Sequence, residues 1–541
     1  MPSIFETDAA LDTLAAKAIT QTKELMAQSE KLRDRREKAS RKRVARLFKD
    51  PKAIEATITL TDEVMRISSV QSSSRIFRRA AKKASLVGFG AVNALGLHFI
   101  GVLSRVVPGP IVGVVHQRVR ALSKDLILAS ESEKLAKHLA KRATKGISLN
   151  INVLGEAVLG DHEAEQRFQS ILEMMRRPEV NYISVKLSSI VAQLIIIDVD
   201  GSIDRVSEKM RILYRQAQEH GVFVNLDMEE YRDLPMTVAA FMRVLDEDEF
   251  VGMKAGIVLQ AYLPESHHFF GELVTWAKAR YEKSGGTIKV RLVKGANLAM
   301  ERAEAELHGW SPAPYRTKSD VDASYVRLVD AALRPEHAKA VRIGIASHNL
   351  FHMTWAIEVA KSRGVLEQID IEMLEGMANA EALAVTRAGQ PVLLYAPVTR
   401  KDDFAAAVAY LVRRLDENTS DENYLKAAFD IAKNPAKFAD QEQRFLKSIA
   451  ERHTITTETL RHIEHGQLTG LSFENEPNAD PTEPRFIASV EKAIKKVRGI
   501  KDQEIPLVIN GKEIFTKEQE EGSDPSDNGK VSLPLITSGI S

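Results

Sequence analysis

Ile147–Leu154 reads ISLNINVL, and seven more short runs of the same character follow it through the middle of the chain. They are ISVKLS (Ile183–Ser188), FVNLDM (Phe223–Met228), GIVLQAY (Gly256–Tyr262), IKVRLVK (Ile288–Lys294), IGIASH (Ile343–His348), IDIEML (Ile369–Leu374) and VLLYAP (Val392–Pro397). Amphipathic stretches such as AEQRFQSILEMMR and DRVSEKMRILYRQAQEHG lie between them. Strands alternating with helices predict an α/β fold in which eight strand–helix units close into a (β/α)8 barrel. Such a barrel gathers its functional groups at the C-terminal ends of its strands. Lys186, Asp227, Gln260, Arg291, Lys294, His348, Glu372 and Tyr395 fall at those ends. A barrel enzyme is the expectation.

The chain has 541 residues, 44% hydrophobic and 28% charged, which is room for one large barrel with flanking segments. A formal net charge of +1 gives no global attraction to nucleic acid or membrane, so any such affinity must be local. There is no cysteine. That excludes disulfides, thiolate nucleophiles, iron–sulfur clusters and cysteine-based zinc sites in this chain. The first residues, MPSIFETDAALDTL, lack the basic start and apolar core of a signal peptide. Leu86–Ser104 is uncharged but contains four glycines, Asn93 and His98, so a buried or interfacial element is expected there and not a bilayer span.

Three segments follow from these patterns: a helical arm over 1–145, the barrel over 146–465, and a linker with a short further element over 466–541. Within the arm, Lys31–Lys49 (KLRDRREKASRKRVARLFK) carries ten basic residues against two acidic ones. It reads as a solvated helix face or as an electrostatic contact with an anionic surface; no nucleic-acid-binding pattern accompanies it. The Gly295–Ala340 interval holds a loop, Trp310-Ser-Pro-Ala-Pro-Tyr315, with the character of a lid. Further on, IPLVINGKEI (Ile505–Ile514) predicts a hairpin turning at Asn510-Gly511.

No phosphate-cradling glycine loop and no metal-ligand spacing occurs. The informative local pattern is Tyr410-Leu-Val-Arg413-Arg414 with Glu417 beyond it. Helical spacing puts these four side chains on one side of a rod, and paired guanidinium groups grip a small carboxylate through parallel hydrogen bonds. Lys186 and Asp227 sit in inward register on neighbouring strands, so an ion pair between them is expected.

The runs LGEAV (Leu154–Val158), VKLS (Val185–Ser188), LDMEE (Leu226–Glu230), LQAY (Leu259–Tyr262), VRLVKGA (Val290–Ala296), ASHN (Ala346–Asn349), LEGM (Leu374–Met377), LYAPV (Leu394–Val398) and YLVRRLDEN (Tyr410–Asn418) together resemble the proline dehydrogenase family, and within it the proline dehydrogenase region of the bifunctional proline utilization A flavoproteins. The resemblance implies a distorted barrel that binds FAD without a dinucleotide-binding domain. It implies oxidation of L-proline to 1-pyrroline-5-carboxylate by hydride transfer to flavin N5, with electrons passed to a membrane quinone. Carried over by motif, Arg413, Arg414 and Lys186 would hold the substrate carboxylate, and Tyr395 and Tyr410 would wall its ring. Gln260, Arg291, Val293, Lys294, Gly295, Ala296, His348, Leu374 and Glu417 would line the flavin, with Glu156 and Asp227 as supporting charges.

Asn297 and Leu298 stand where the bacterial family commonly has an aromatic residue after its VKGA run. IPLVINGKEI and SDPSDNGKV resemble the opening strands of an aldehyde dehydrogenase domain, whose activity is not expected here because the chain has no cysteine. A separate 1-pyrroline-5-carboxylate dehydrogenase would then take the product. The resemblance suggests a cytoplasmic protein, peripheral on the inner face of the membrane. The rival reading is an inactive barrel serving a regulatory or membrane-docking role.

Overall fold

The computed structural model describes residues 10–47, 50–67, 69–123, 126–155, 158–400, 407, 410, 423–462, 478–499, 506–515, 520–523 and 531–535. All eight runs are strands, seven of them with an end shifted by one or two residues: β2 (Ile147–Val153), β3 (Tyr182–Lys186), β4 (Phe223–Asp227), β5 (Ala255–Gln260), β6 (Ile288–Val293), β7 (Val341–Ala346), β8 (Ile369–Leu374) and β9 (Val392–Thr399). Each pairs in parallel with the next, and β9 pairs with both β8 and β2, which closes the barrel. A two-residue strand, β1 (Leu128–Ala129), adds to the end of β9 and was not foreseen in the helical arm.

Alternation along the strands sends two chemistries in opposite directions. Ile183, Val185, Val224, Leu226, Val290, Leu292, Ile343, Ile345 and Ile371 are buried in the main apolar core with residues of the surrounding helices. The opposite phase carries Asn150, Ser184, Asn225, Lys289, Arg291 and Glu372, all buried and polar. The barrel interior is therefore a hydrogen-bonded lattice. Asn150 donates to Ser184 Oγ at 3.0 Å, and Arg291 donates from β6 to Ser184 on β3 at 3.2 Å. Lys289 pairs with Asp370 at 2.9 Å and Glu372 at 2.7 Å. Gly344 makes room for this: a Cβ there would collide with the Glu372 carboxylate and crowd the Lys289 side chain.

The arm and the barrel lie in one compact unit, Met1–Asn475. Helix α1 (Ala10–Leu32) packs on α17 (Leu350–Ser362) through Ala18, which is wholly buried, and a Thr22–Thr354 hydroxyl pair at 2.8 Å. Beyond it, Arg33 and Arg41 of the basic run both engage the buried carboxylate of Glu381. Part of that run therefore clasps the barrel and is not free for an external anion.

The uncharged segment is neither buried nor a span. It forms α6 (Leu86–Phe89) and α7 (Ala91–Leu103), separated at Gly90 with φ of 80°, and no described helix is long and apolar enough to cross a membrane. In the second unit, Glu476–Ser541, β10 (Leu507–Ile509) and β11 (Lys512–Ile514) form the expected antiparallel hairpin. Asn510 and Gly511, both at positive φ, make its turn.

Glu372→Ala should destabilise the fold by about 3–5 kcal/mol, because Arg291 and Lys289 each lose a buried counter-charge. Urea denaturation against the unsubstituted chain checks this; a change under ~1 kcal/mol would show the interior lattice is dispensable.

Candidate active site

A cavity of ≈330 Å3 opens at the C-terminal ends of the strands. Lys186, Asp227, Gln260, Arg291, Val293, Lys294, Gly295, Ala296, His348, Leu374, Tyr395 and Tyr410 all line it. Glu156, Arg413, Arg414 and Glu417 lie outside the described residues.

Asp227 organises one side. Its Oδ1 accepts from Arg291 at 2.8 Å and its Oδ2 from the Tyr395 hydroxyl at 2.8 Å. Arg291 spans the barrel, since its Nε also donates to Glu372 at 2.6 Å. Flanking carboxylates hold the guanidinium firmly charged, against a burial that alone would lower its pKa. Burial, reinforced by the Asp227 charge, pushes the Tyr395 phenol well up, so it stays a neutral donor.

The expected Lys186–Asp227 pair does not form. The two residues are register partners, as anticipated. Arg291 occupies Asp227 from across the barrel, however, and Lys186 pairs with Glu229. Glu229 lies two residues past Asp227, and Ser188 Oγ sits 3.4 Å from its other carboxylate oxygen. The long lysine chain reaches up the barrel axis to the next carboxylate, placing its ammonium nearer the mouth.

On the other side, Lys294 follows β6 and donates to Asp322 at 2.6 Å and to His352 Nδ1 at 3.0 Å. Lys318, one turn before Asp322 on α16 (Lys318–Ala332), uses the same carboxylate. Two ammonium groups thus share one carboxylate beside a cavity. Burial, with repulsion from Lys318, pushes Lys294 down to about 7. Asp322 is held well below the usual carboxylate range by the two lysines. Burial and the Lys294 charge keep His352 neutral, so Nδ1 accepts from Lys294 and Nε2–H faces Ser448 Oγ at 3.1 Å. His348 Nε2 accepts from the Leu374 N–H at 3.1 Å, tying two lining residues together.

Gly295 takes φ of 125° against the Tyr262 ring, where any Cβ would collide with ring carbons. Only glycine lets the loop after β6 lie flat at the cavity edge. The Trp310–Tyr315 loop is bonded to the body at its end: Tyr315 N–H donates to Tyr262 O at 2.8 Å, and its hydroxyl to Thr456 O at 2.5 Å.

Reading the sequence missed Glu229, Lys318, Asp322 and His352. Glu229 was within the quoted LDMEE run. Lys318 and Asp322 carried a helical i,i+4 charge signal, but nothing local tied them to Lys294, some 24 residues earlier.

A closed barrel with buried cations and tyrosines around a cavity at its C-terminal mouth has the form of an enzyme active site. Residues 135–427, more than half the chain, match the family model described as Proline dehydrogenase. The chain belongs to the proline dehydrogenase family. It is similar to Proline dehydrogenase 2 of Bacillus subtilis, 26% identical over 282 residues that span 51% of this chain and 80% of that protein. It is also similar to the Bifunctional protein PutA of Escherichia coli, 23% identical over 334 residues, 58% of this chain and 25% of that one. Among solved structures, Proline Utilization A from Corynebacterium freiburgense is 43% identical, with a TM-score of 0.61 over 72% of this chain and 38% of its own. The Bdellovibrio bacteriovorus Proline Utilization A inactivated by N-propargylglycine has a TM-score of 0.77 over 97% of this chain and 53% of its own; at 24% identity it speaks to the fold. The chain thus spans about a quarter of the length of the curated PutA relatives it matches.

The depressed Lys294 implies a linkage with a definite sign. Unfolded lysine titrates near its ordinary 10.5, so between about 7 and 10.5 the unfolded state binds more protons and stability rises with pH. Lys294→Met should therefore stabilise the ligand-free protein most below pH 7. The gain should shrink steadily as pH rises toward 10.5. Denaturation midpoints across that range check it; a pH-independent difference would mean Lys294 is not depressed.

Proposed function

We propose that the chain oxidises L-proline to 1-pyrroline-5-carboxylate with FAD as its cofactor, passing the electrons to a quinone. The observation that carries this reading is the joint placement of Lys186, Tyr395 and Tyr410 around one cavity, in a chain of the proline dehydrogenase family.

The residues present fit a flavin. Two lysines sharing the single carboxylate of Asp322 leave positive charge for an anionic group beside the cavity. Val258, Val293, Met373 and Leu374 supply an apolar surface for a flat ring, with the Gln260 Oε1 acceptor and the Arg291 guanidinium beside it. Lys294, Gln260, His348 and the Gly295–Ala296 backbone would hold the cofactor. Bound there, FAD supplies the two-electron acceptor at its N5.

The substrate's demands are met by the chain's own side chains. Oxidation removes a hydride from the carbon next to the ring nitrogen, whose lone pair supports the developing positive charge. Placement matters more than acid–base groups in such a step. Lys186, held by Glu229, offers its ammonium to the carboxylate, joined in this reading by Arg413 and Arg414. Tyr395, fixed by Asp227, and buried Tyr410 limit where the ring can sit and exclude water. The chain contains no cysteine, so the thiolate for oxidising the product onward must come from outside these residues, as in a separate 1-pyrroline-5-carboxylate dehydrogenase. A quinone dissolved in a membrane as acceptor fits a protein working on the inner face of the cytoplasmic membrane. Asn297 donates to Glu229 O at 3.0 Å, so where family members have an aromatic residue this chain braces the loop over Glu229.

Steady-state assay of the flavin-loaded chain with L-proline and an artificial dye acceptor tests the reading. Proline-dependent dye reduction is expected, with no reduction of NAD. A chain that binds no flavin, or binds it without turning over proline, would favour the inactive-barrel reading. Arg413→Met and Arg414→Met should each raise KM for proline by about 30- to 150-fold while flavin stays bound. Flavin loss with an ordinary KM would reassign that arginine.

A further inference from the structure

Asn297 stands at the N-cap position of α15 (Leu298–His308), where an asparagine ordinarily turns its side chain back onto the first N–H groups of its own helix. Here it makes no such bond. Its Nδ2 donates instead to Glu229 O at 3.0 Å, on the loop that follows β4. One turn into the same helix, Glu301 also reaches away from α15: its Oε1 accepts from the Tyr231 N–H of that loop at 2.7 Å. Both side chains are buried. Burial, with Glu304 and Glu230 near it, pushes the Glu301 carboxyl up to about 7, so the position supplies a hydrogen-bond acceptor more than a full charge.

From the end of β5, Gln260 Nε2 donates to Met228 O and to Glu229 O, each at 3.2 Å. Three buried side chains thus grip the backbone on both sides of Glu229, in a segment outside the sheet ladder. The start of α15 is itself fixed, since Tyr262 N–H donates to Lys294 O at 2.8 Å and Gly295 lies against the Tyr262 ring. A loop held only for stability would be better served by Asn297 capping its own helix and by an apolar residue at 301. Forgoing the cap and burying a carboxyl both cost stability.

The fixed backbone delivers the Glu229 carboxylate to the cavity. One oxygen pairs with Lys186, and Ser188 Oγ lies 3.4 Å from the other. Lys186 carries its ammonium on a flexible four-carbon stem, so β3 alone does not give the head a single place. Its counter-charge does.

We infer that Asn297 and Glu301 are positioning residues which, through the Met228–Tyr231 loop, set where Glu229 holds the Lys186 ammonium and so how the site meets a substrate carboxylate. Each link is a hydrogen bond or ion pair: α15 to loop backbone, loop to Glu229, Glu229 to Lys186. This deepens the proline reading above and rests on it for the purpose of the ammonium. The hold on the ammonium can be read without turnover, however, so each can fail alone.

Trace acetylation of the full chain with acetic anhydride, followed by peptide mass spectrometry, reads that hold, because an ammonium kept in an ion pair is acylated slowly. Asn297→Ala and Glu301→Ala should each raise labelling of Lys186 roughly five- to tenfold, whereas Glu301→Gln, which keeps the acceptor, should leave it within about twofold. Lys289, buried lower in the barrel, serves as the control and should not change. Glu229→Gln should raise Lys186 labelling by itself, and adding Asn297→Ala to it should add little, since both act through one carboxylate. In the flavin-loaded chain the two alanine variants should raise KM for proline about tenfold, with kcat within about twofold. Unchanged Lys186 labelling in both alanine variants, an equal rise at Lys289, or full additivity with Glu229→Gln would overturn the inference. Faster Lys186 labelling with an unaltered KM would support the positioning and count against Lys186 as the group that holds the substrate carboxylate.

Discussion

The Arg291 guanidinium, buried at the centre of the barrel, is the contact on which the rest depends. It joins β6 to Ser184 on β3, Asp227 on β4 and Glu372 on β8. A buried arginine is tolerated only when its donors are matched, and each partner here comes from a different strand. The strands must therefore keep one register for the charge to be satisfied. A one-residue slip would turn Arg291 outward and set Val290 or Leu292 against Asp227.

The site's asymmetry grows from that lattice. Because Arg291 occupies Asp227, the carboxylate is free to orient Tyr395 but not to neutralise Lys186. Lys186 is left to Glu229, nearer the mouth. Across the cavity Lys294 and Lys318 compete for Asp322. The mouth thus presents one substrate-sized cation beside tyrosines on one side and a cation-rich cluster on the other. The same physics that keeps the interior paired leaves charge unspent where a ligand can meet it.

The arm is part of this construction. Its first helix shares buried hydroxyls with α17, and Arg33 and Arg41 meet at Glu381. A run that looks like a free basic tail in one dimension is partly a clasp in three. The apolar segment after it does the reverse: read as buried or interfacial, it is only half covered.

The eight strands were legible because β-branched runs separated by amphipathic helices admit few closed arrangements. Their inward polar residues were legible because side chains alternate strictly along a strand. The hairpin at Asn510-Gly511 was legible because few residues accept positive φ at two successive positions. Partner choice was not. Lys186 and Asp227 are true neighbours in register, yet the arginine that displaced their pairing comes from two strands further on. Lys318, Asp322 and His352 reach Lys294 only through the packing of α16 and α17 beside the barrel. Local periodicity determines which face a side chain occupies. Which opposite charge it meets is a competition among all groups within a few ångströms, and only the closed barrel brings those competitors together.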